Sequence, residues 1–203
     1  YEEAIESYKQ AIRIDPDDRD AHYDLATDKD IHYNLGLAYC NTGKYEEAIE
    51  SFKQAIEIDP DSKYAHLCLG LAYGELGKHQ EAIESYKQAI RIDPDFADAH
   101  IGLGVAYRKS GRYEEAIESY KQAIRINPDY RDAHYNLGNA YDESGKYKEE
   151  IEAYKQVIRI DPDYGDAHYN LGCAYYDSGK YKEAIKSYKQ AIRIVPDDAD
   201  FHN

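Results

Sequence analysis

Apolar residues recur along most of the chain at spacings of three and four, which is the period of an amphipathic helix. Residues 113–126, for example, place Ala116, Ile117, Tyr120 and Ala123 on one face and charged residues on the other. No apolar run approaches the ~18 residues that a membrane-spanning helix needs. The pattern therefore predicts a chain of amphipathic helices that pack through one face.

The pattern repeats. Prolines lie at positions 16, 60, 94, 128, 162 and 196, so that the last four intervals are 34 residues each. Each interval holds two amphipathic segments joined by a glycine-containing turn, and the block around the proline ends the second segment. We predict a half-repeat with only a second helix (1–16), an insertion region (17–28), five helical hairpins (29–62, 63–96, 97–130, 131–164 and 165–198) and a stub of a further repeat (199–203).

The hairpins share a histidine, a Leu-Gly pair and a tyrosine in the first helix, then a small residue, an aromatic residue and a proline. In the first hairpin these are His32, Leu35, Gly36, Tyr39, Ala48, Phe52 and Pro60. This spacing resembles the tetratricopeptide repeat, or TPR. The resemblance implies an all-α fold, a right-handed superhelical solenoid of antiparallel helix hairpins, whose concave wall is lined by the first helices.

Composition narrows the range of partners. Lys and Arg number 25 against 40 Asp and Glu, a net charge of −15, which argues against binding of nucleic acid and favours neutral or basic partners. Three cysteines without a C-x-x-C pair fit a reducing compartment, so we expect a cytoplasmic protein. The chain begins inside a helical pattern at Tyr1, so we expect it to be a fragment.

The histidines form a row where the family usually has tryptophan. Equivalent positions on stacked helices lie about 10 Å apart, whereas the ligands of one zinc ion lie about 2 Å from it. We therefore predict a packing or surface-capping role and no metal site. A dependence of stability on the protonation of these histidines is a further hypothesis.

The interval between Pro16 and Pro60 is ten residues longer than the others. Thr27 followed by Asp30 resembles a capping box, which favours a helix that begins near Asp28, with residues 17–26 as a short helix or an ordered loop. One longer first helix is the alternative. Either arrangement predicts that the helix of residues 1–14 leaves its usual position and packs elsewhere, with a domain swap onto a neighbouring chain as one option.

The repeat 131–164 departs from the pattern in its second helix. Glu150 and Val157 stand where the other repeats have alanine, so we expect its two helices to pack less tightly. One interpretation is a functional hinge. The other, which we favour, is local repacking with a carboxylate that reaches the surface.

Fifteen of the 23 tyrosines occupy three repeat positions, the rows of Tyr39, Tyr45 and Tyr86, and we predict that all three rows are core. Counting from the first residue of each repeat, the resemblance implies that positions 2, 5, 6, 9, 12 and 13, in the first helix, face the groove. The candidate ligand-binding residues there are Tyr33, Asn34, Leu37, Tyr135, Asn136, Asn139, Tyr169, Asn170, Cys173 and Tyr176.

Asparagine can donate to one peptide group and accept from another, so repeated asparagines suit an extended peptide backbone. The row resembles the asparagine ladder of O-linked N-acetylglucosamine transferases, although Cys68 and Gly102 interrupt it. The Lys and Arg clamp with which some TPR co-chaperones hold a carboxylate is missing. The charged residues at the groove positions are instead mostly acidic, with cations only at Arg108 and Lys109.

No phosphate-binding loop, metal-ligand cluster or nucleophile with a base is recognisable in the sequence. We therefore predict a protein-protein interaction scaffold, not an enzyme, that binds a peptide of a partner without a cofactor, a membrane or a nucleic acid. The alternatives are a self-assembly module, a homo-oligomer formed through uncapped or swapped terminal helices, and an accessory arm of a larger enzyme.

Overall fold

The structure is a computed structural model that describes the backbone of residues 2–14 and 24–195. These residues form helices joined by short turns, and no strand occurs among them. The helices are α1 (Glu2–Ile14), α2 (Asp24–Asn41), α3 (Tyr45–Ile58), α4 (Lys63–Glu75), α5 (His79–Ile92), α6 (Ala97–Lys109), α7 (Tyr113–Ile126), α8 (Arg131–Glu143), α9 (Tyr147–Ile160), α10 (Gly165–Asp177) and α11 (Tyr181–Ile194).

The chain divides into two compact units, residues 1–106 and 107–203. In the first unit α1 packs on α2, α2 on α3, α3 on α4 and α4 on α5. In the second unit α7 packs on α8, α8 on α9, α9 on α10 and α10 on α11. Neighbours in sequence are thus neighbours in space, and the predicted all-α array of helical hairpins is confirmed.

The turn inside each hairpin is set by a glycine. Gly77 has φ of +70°, the left-handed region in which a residue without Cβ is unstrained. Its N–H donates to the carbonyl of Gly74 at 3.1 Å, and the N–H of Lys78 donates to that of Tyr73 at 2.9 Å. These two bonds satisfy carbonyls that the end of α4 would otherwise leave free. The same conformation occurs at Gly43, Gly111, Gly145 and Gly179.

A second glycine lets the two helices of a hairpin approach each other. A methyl group added at Gly70 would lie 2.7 Å from Cε1 of Tyr86, closer than carbon atoms can pack. The Tyr86 side chain is 3% exposed, so the ring fills the space beside the glycine backbone. The same contact joins Gly36 to Phe52, Gly138 to Tyr154 and Gly172 to Tyr188.

The histidine row has the packing role that the sequence predicted. Nε2 of His134 lies 2.9 Å from the carbonyl oxygen of Pro128, and this oxygen can only accept, so the ring N–H donates. His134 is 8% exposed. The bond ties the first helix to the turn that precedes it. The same bond joins His66 to Pro60, His100 to Pro94 and His168 to Pro162.

The predicted displacement of α1 is wrong. Ile5 of α1 is 3% exposed in the core of the first unit, and Lys44 pairs with Glu2 at 2.8 Å. Lys146 pairs with Glu114 at 3.0 Å at the same repeat positions of the second unit. α1 therefore occupies the usual place of a second helix, because only there can its apolar face be buried. The domain swap was an option only for a displaced α1, so the structure gives it no support.

The expected start of α2 near Asp28 is also wrong. The helix begins at Asp24 and continues through Thr27, since no glycine or proline interrupts residues 24–35. Residues 17–23 lie outside the described part of the chain, so the boundaries of the insertion region stay a prediction.

One of the three tyrosine rows is not core. Tyr147 is 41% exposed and Tyr181 is 59% exposed, whereas Tyr120 and Tyr154, in the row of Tyr86, are almost completely buried. Tyr147 and Tyr181 are the first residues of α9 and α11. The first turn of a second helix lies at the edge of a hairpin, and the hydroxyl of a tyrosine there can reach water.

The glycine contact yields a prediction with its control in the same helix. We expect Gly70→Ala to destabilise the chain by about 1–3 kcal/mol, because the methyl group must displace the buried Tyr86 ring. At Gly74 of α4 an added methyl group would meet no atom within 4 Å, so Gly74→Ala should be neutral or stabilising by up to ~1 kcal/mol. Urea unfolding followed by circular dichroism measures both. Equal midpoints for the two variants would contradict the role assigned to Gly70.

Candidate functional site

The candidate ligand-binding residues lie on first helices, on a surface that we call the groove face and define by positions 2, 5, 6, 9, 12 and 13 counted from the first residue of each repeat. In the second unit the structure brings seven of them together on the adjacent helices α8 and α10. They are Tyr135, Asn136 and Asn139 on α8 and Tyr169, Asn170, Cys173 and Tyr176 on α10. The other three, Tyr33, Asn34 and Leu37, lie on α2 in the first unit.

Tyr33 is half-buried in the first unit. Its ring packs at 5.9 Å from that of Phe52, and its hydroxyl lies 3.7 Å from Sγ of Cys68 on α4. Burial, and after it the contact with Cys68, raises the pKa of Tyr33, so the hydroxyl stays protonated. Leu37 packs against the core beside it. This part of the groove face is thus aromatic and apolar.

Tyr135 holds the corresponding place on α8. Nδ2 of Asn170 on α10 donates to its hydroxyl at 3.0 Å, and its ring makes edge contacts with Tyr154 and Tyr164 at 5.9 and 5.5 Å between centroids. Burial is the main cause that raises the pKa of Tyr135. The bond from Asn170 links neighbouring first helices across the groove face.

The side chains at position 9 hold the hydroxyls of buried tyrosines from the second helices. The hydroxyl of Tyr154 donates to Oδ1 of Asn139 at 2.7 Å, and that of Tyr188 donates to Sγ of Cys173 at 3.5 Å. A buried phenol needs such a partner. Asn139 and Cys173 therefore serve the core as well as the surface.

These bonds divide the asparagines into two groups. Asn139 and Asn170 each use part of their hydrogen-bonding capacity inside the protein. Asn34 and Asn136 have no hydrogen-bond partner within the described residues, and both are half-buried. An amide has two donor hydrogens and an acceptor oxygen, and Asn136 uses none of this capacity within the described residues.

Gly102 interrupts the asparagine row for a packing reason. A methyl group there would lie 2.5 Å from Cε1 of Tyr86, the same ring that packs on Gly70 of the preceding repeat. A larger side chain at position 102 would collide with this ring.

Sequence reasoning missed Tyr64, which is position 2 of its repeat and so belongs to the groove face, and Tyr164, which lies beside that face. Tyr64 is 54% exposed, and the Lys63 ammonium lies 5.2 Å from its ring centroid. Tyr164, at the end of its repeat, contacts Tyr135 and carries the Arg131 guanidinium 4.6 Å from its ring centroid. Aligning the last residue of each repeat, Ser62, Phe96, Tyr130 and Tyr164, reveals this aromatic tendency.

Tyr176 is the most exposed aromatic residue of the candidate set. It is 59% exposed, and its ring contacts that of Tyr181 at 5.4 Å. Tyr169, deeper on the same helix, packs at 5.8 Å from the ring of Tyr188. The groove face of α10 thus ends in an accessible aromatic surface.

Arg108, one of the two cations at groove positions of the second unit, is paired with an acidic side chain. Nη1 of Arg108 donates to Oε1 of Glu143 at 2.7 Å. Asp142 and Asp177 have no cationic partner within 4 Å among the described residues. Burial, then the negative charge of Asp177, raises the pKa of Asp142. This part of the surface therefore has an unbalanced negative charge.

Glu150 does not reach the surface, contrary to the interpretation that we favoured. It is 3% exposed, and its Oε2 is buried without a hydrogen-bond partner within the described residues. Burial, then the charges of Asp142 and Asp177, raises the pKa of Glu150 to about 8. Its position on α9 faces the first helices, and a side chain of this length is too short to turn back to water.

The expected loosening of this hairpin is wrong as well. A methyl group at Gly138 would lie 2.6 Å from Cε1 of Tyr154, the same distance as between Gly36 and Phe52. Val157 is completely buried. The hairpin therefore keeps its spacing although it encloses a carboxyl group.

Metal-binding clusters and membrane-spanning helices do not occur in the described part of the chain. Within these residues, no group of three or more His, Cys, Asp or Glu side chains is arranged to hold a metal ion. No described helix is long and apolar enough to cross a membrane. Cys40, Cys68 and Cys173 are free thiols.

The geometry defines a helical-hairpin repeat protein, and the comparisons with known proteins name the family. The family model described as TPR repeat matches residues 1–27, 36–77, 75–110, 104–145, 138–178 and 172–203. The chain therefore belongs to the TPR family, whose fold is a protein-protein interaction scaffold. No curated protein sequence matches the chain.

Several solved structures are similar to the chain. MamA is 33% identical over 82% of this chain and 97% of that chain, with a TM-score of 0.76. YrrB, described as a TPR protein with an unusual peptide-binding site, is 22% identical over 98% of this chain and 97% of that one, with a TM-score of 0.73. PilF of Pseudomonas aeruginosa is 23% identical over 87% of this chain and 81% of that chain, with a TM-score of 0.76.

Glu150 should make stability depend on pH. Its pKa is raised from 4.5 to about 8 in the folded chain, so the folded state retains a proton that the unfolded state loses. The contribution of Glu150 to the free energy of unfolding is therefore fully present below pH 4.5, and it is lost as the pH rises through about 8. We expect the wild type to lose a few kcal/mol relative to Glu150→Gln between pH 5 and pH 8.5, at about 1.4 kcal/mol per pKa unit.

Urea unfolding of both chains at the two pH values measures this difference. Other titrating groups are common to both chains and cancel in the comparison. Glu150→Ala, which restores the residue of the other repeats, is the second control and should behave as Glu150→Gln does. If the difference in unfolding free energy between the wild type and the variants were the same at both pH values, Glu150 would be ionised at neutral pH.

Proposed function

We propose that the chain binds a peptide segment of a partner protein along the groove face, without catalysing a reaction. The observation that carries the proposal is the surface formed by α8 and α10. It combines half-buried tyrosine rings with asparagine amides, and the donors and the acceptor of Asn136 have no partner in the described part of the chain. Such a surface can pair with the backbone of a ligand and pack against its side chains.

An extended segment fits the repeat spacing. Neighbouring helices lie about 8–10 Å apart, and an extended chain advances about 3.3 Å per residue. One repeat therefore spans about three residues of the ligand, so equivalent side chains on successive first helices can meet every third peptide unit. The similarity of the fold to that of YrrB, which is described as a TPR protein with an unusual peptide-binding site, supports the binding of a peptide.

Charge favours a neutral or basic segment. The chain carries a net charge of −15, and Asp142 and Asp177 on the groove face have no cationic partner within 4 Å among the described residues. Accessible tyrosine rings such as Tyr176 add cation-π attraction for Lys or Arg. The free thiols suit a reducing, cytoplasmic setting, which belongs to the same proposal.

Substitutions on the groove face should weaken binding without unfolding the chain. Peptides selected from a displayed random library against the wild type supply the ligands. We expect Asn136→Ala to lower their affinity by about five- to tenfold, the loss of roughly 1 kcal/mol of hydrogen bonding. Tyr176→Ala should also weaken binding, because it removes an exposed ring. Titration calorimetry measures the affinities.

The matched control is Gln156→Ala, which removes an amide from α9 away from the groove face. It should leave the affinity unchanged. Selected peptides that bind Asn136→Ala, Tyr176→Ala and the wild type equally would mean that the groove face is not the binding surface. Failure to select any peptide would also count against the proposal.

Self-assembly is a second candidate, and one observation favours it. Ile185 on α11 is 55% exposed, whereas its equivalents Ile49, Ile83, Ile117 and Ile151 are at most 6% exposed. Tyr181, one turn earlier, is also exposed. A second copy of the chain could cover this apolar face, which is the face that a following first helix covers in the other repeats.

Light scattering at several protein concentrations tests self-assembly. We expect the mass of the wild type to rise with concentration and that of Ile185→Glu to stay at the monomer value. The Glu side chain would place a charge in the buried centre of the contact. A monomeric wild type at every concentration would reject this candidate.

A further inference from the structure

The position of Glu150 is occupied by alanine in the other complete second helices, as at Ala48, Ala82, Ala116 and Ala184, and each of these is at most 1% exposed. The site therefore lies in the seam between helices. A carboxyl group there is one of the most expensive side chains to bury without a partner. The packing of the hairpin does not require a carboxyl group at this position.

The surroundings of Glu150 offer it no compensation. Its Oε2 is buried and unpartnered within the described residues. The charged groups that face it are Asp142 from α8 and Asp177 from α10, and on its own helix Tyr154 lies close enough to interact with its charge. Arg108, a cation on the groove face of this unit, is bonded to Glu143.

Both aspartates are exposed, at positions 12 and 13 of their helices on the groove face, while the buried carboxyl lies behind them. Three acidic side chains thus converge between α8, α9 and α10 with no positive charge among them. They are not arranged to hold a metal ion. An organic cation with a long, flexible stem could place its charge between the two aspartates and direct a donor at the buried oxygen.

We propose that Asp142, Asp177 and Glu150 form a recognition site for the cationic side chain of a lysine or arginine in the segment that binds the groove face. The site rests on the proposed function for its natural ligand, but its chemistry can be tested alone. The cation relieves the repulsion among the carboxyl groups, and its N–H donates to the buried oxygen that lacks a partner. Glu150 releases its proton to solvent as the cation enters.

Proton release makes the site observable by NMR. The chain is labelled with ¹³C at glutamate carboxyls, and Glu150→Gln assigns the signal of Glu150 by its disappearance. The probes are N-acetyl-arginine methylamide, N-acetyl-lysine methylamide and, as an uncharged match, N-acetyl-citrulline methylamide. We expect a saturating cationic probe to lower the midpoint pH of the Glu150 signal by about 1, which corresponds to tenfold tighter binding to the ionised form.

Citrulline should leave the midpoint unchanged. Asp142→Asn combined with Asp177→Asn should abolish the effect of the cationic probes, whereas Glu114→Gln, which removes an exposed charge from α7, should not. A midpoint that is the same with and without the arginine and lysine probes would overturn the proposal and leave Glu150 as a buried acid only.

The result can be separated from that of the groove experiment. An unchanged Glu150 midpoint together with weaker peptide binding by Asn136→Ala overturns the cation site and leaves peptide binding intact. A lowered midpoint together with unaltered peptide binding by Asn136→Ala and Tyr176→Ala supports the cation site and contradicts the wider groove function.

Discussion

The contact between a glycine in the first helix and an aromatic ring in the second fixes the spacing of the hairpins. Where Gly138 meets Tyr154, the ring lies against the glycine backbone and is almost completely buried. Burying a tyrosine in this way also requires a partner for its hydroxyl, and Asn139 supplies it. The packing of the core therefore reaches the groove face and decides which of its amides are already bonded. It also explains Gly102, which leaves room for the ring of Tyr86.

Glycine, alanine and the aromatic rings fill the seam between helices, and the outward positions of the first helices carry side chains that contact this core and are partly exposed. In the second unit they hold half-buried tyrosines, asparagines and uncompensated aspartates. A half-buried surface of aromatic rings and amides suits a peptide, whose backbone offers donors and acceptors at regular intervals. The TPR family membership of the chain and this surface lead to the same class of function.

Glu150 breaks the pattern that the other repeats keep. The hairpin around it has the same glycine contact as the others, so the carboxyl group is enclosed without any loosening of the helices. Its burial beside Asp142 and Asp177 keeps the proton on the carboxyl group near neutral pH. Residues that oppose local packing are often retained for function, and here the unpaired oxygen lies directly behind the acidic part of the groove face.

The sequence alone determined the helical hairpins, their period and their family, because glycine turns, proline stops and apolar spacing act locally. It also placed the candidate residues on first helices, as the structure does. Tertiary structure decided the rest. The position of α1 depends on the burial of Ile5 against residues that follow a ten-residue insertion. No local signal in the sequence encodes this contact. The partners of Asn139 and Asn170, and the burial of Glu150, depend on neighbouring helices, whose side-chain contacts and solvent exclusion are not set by sequence spacing.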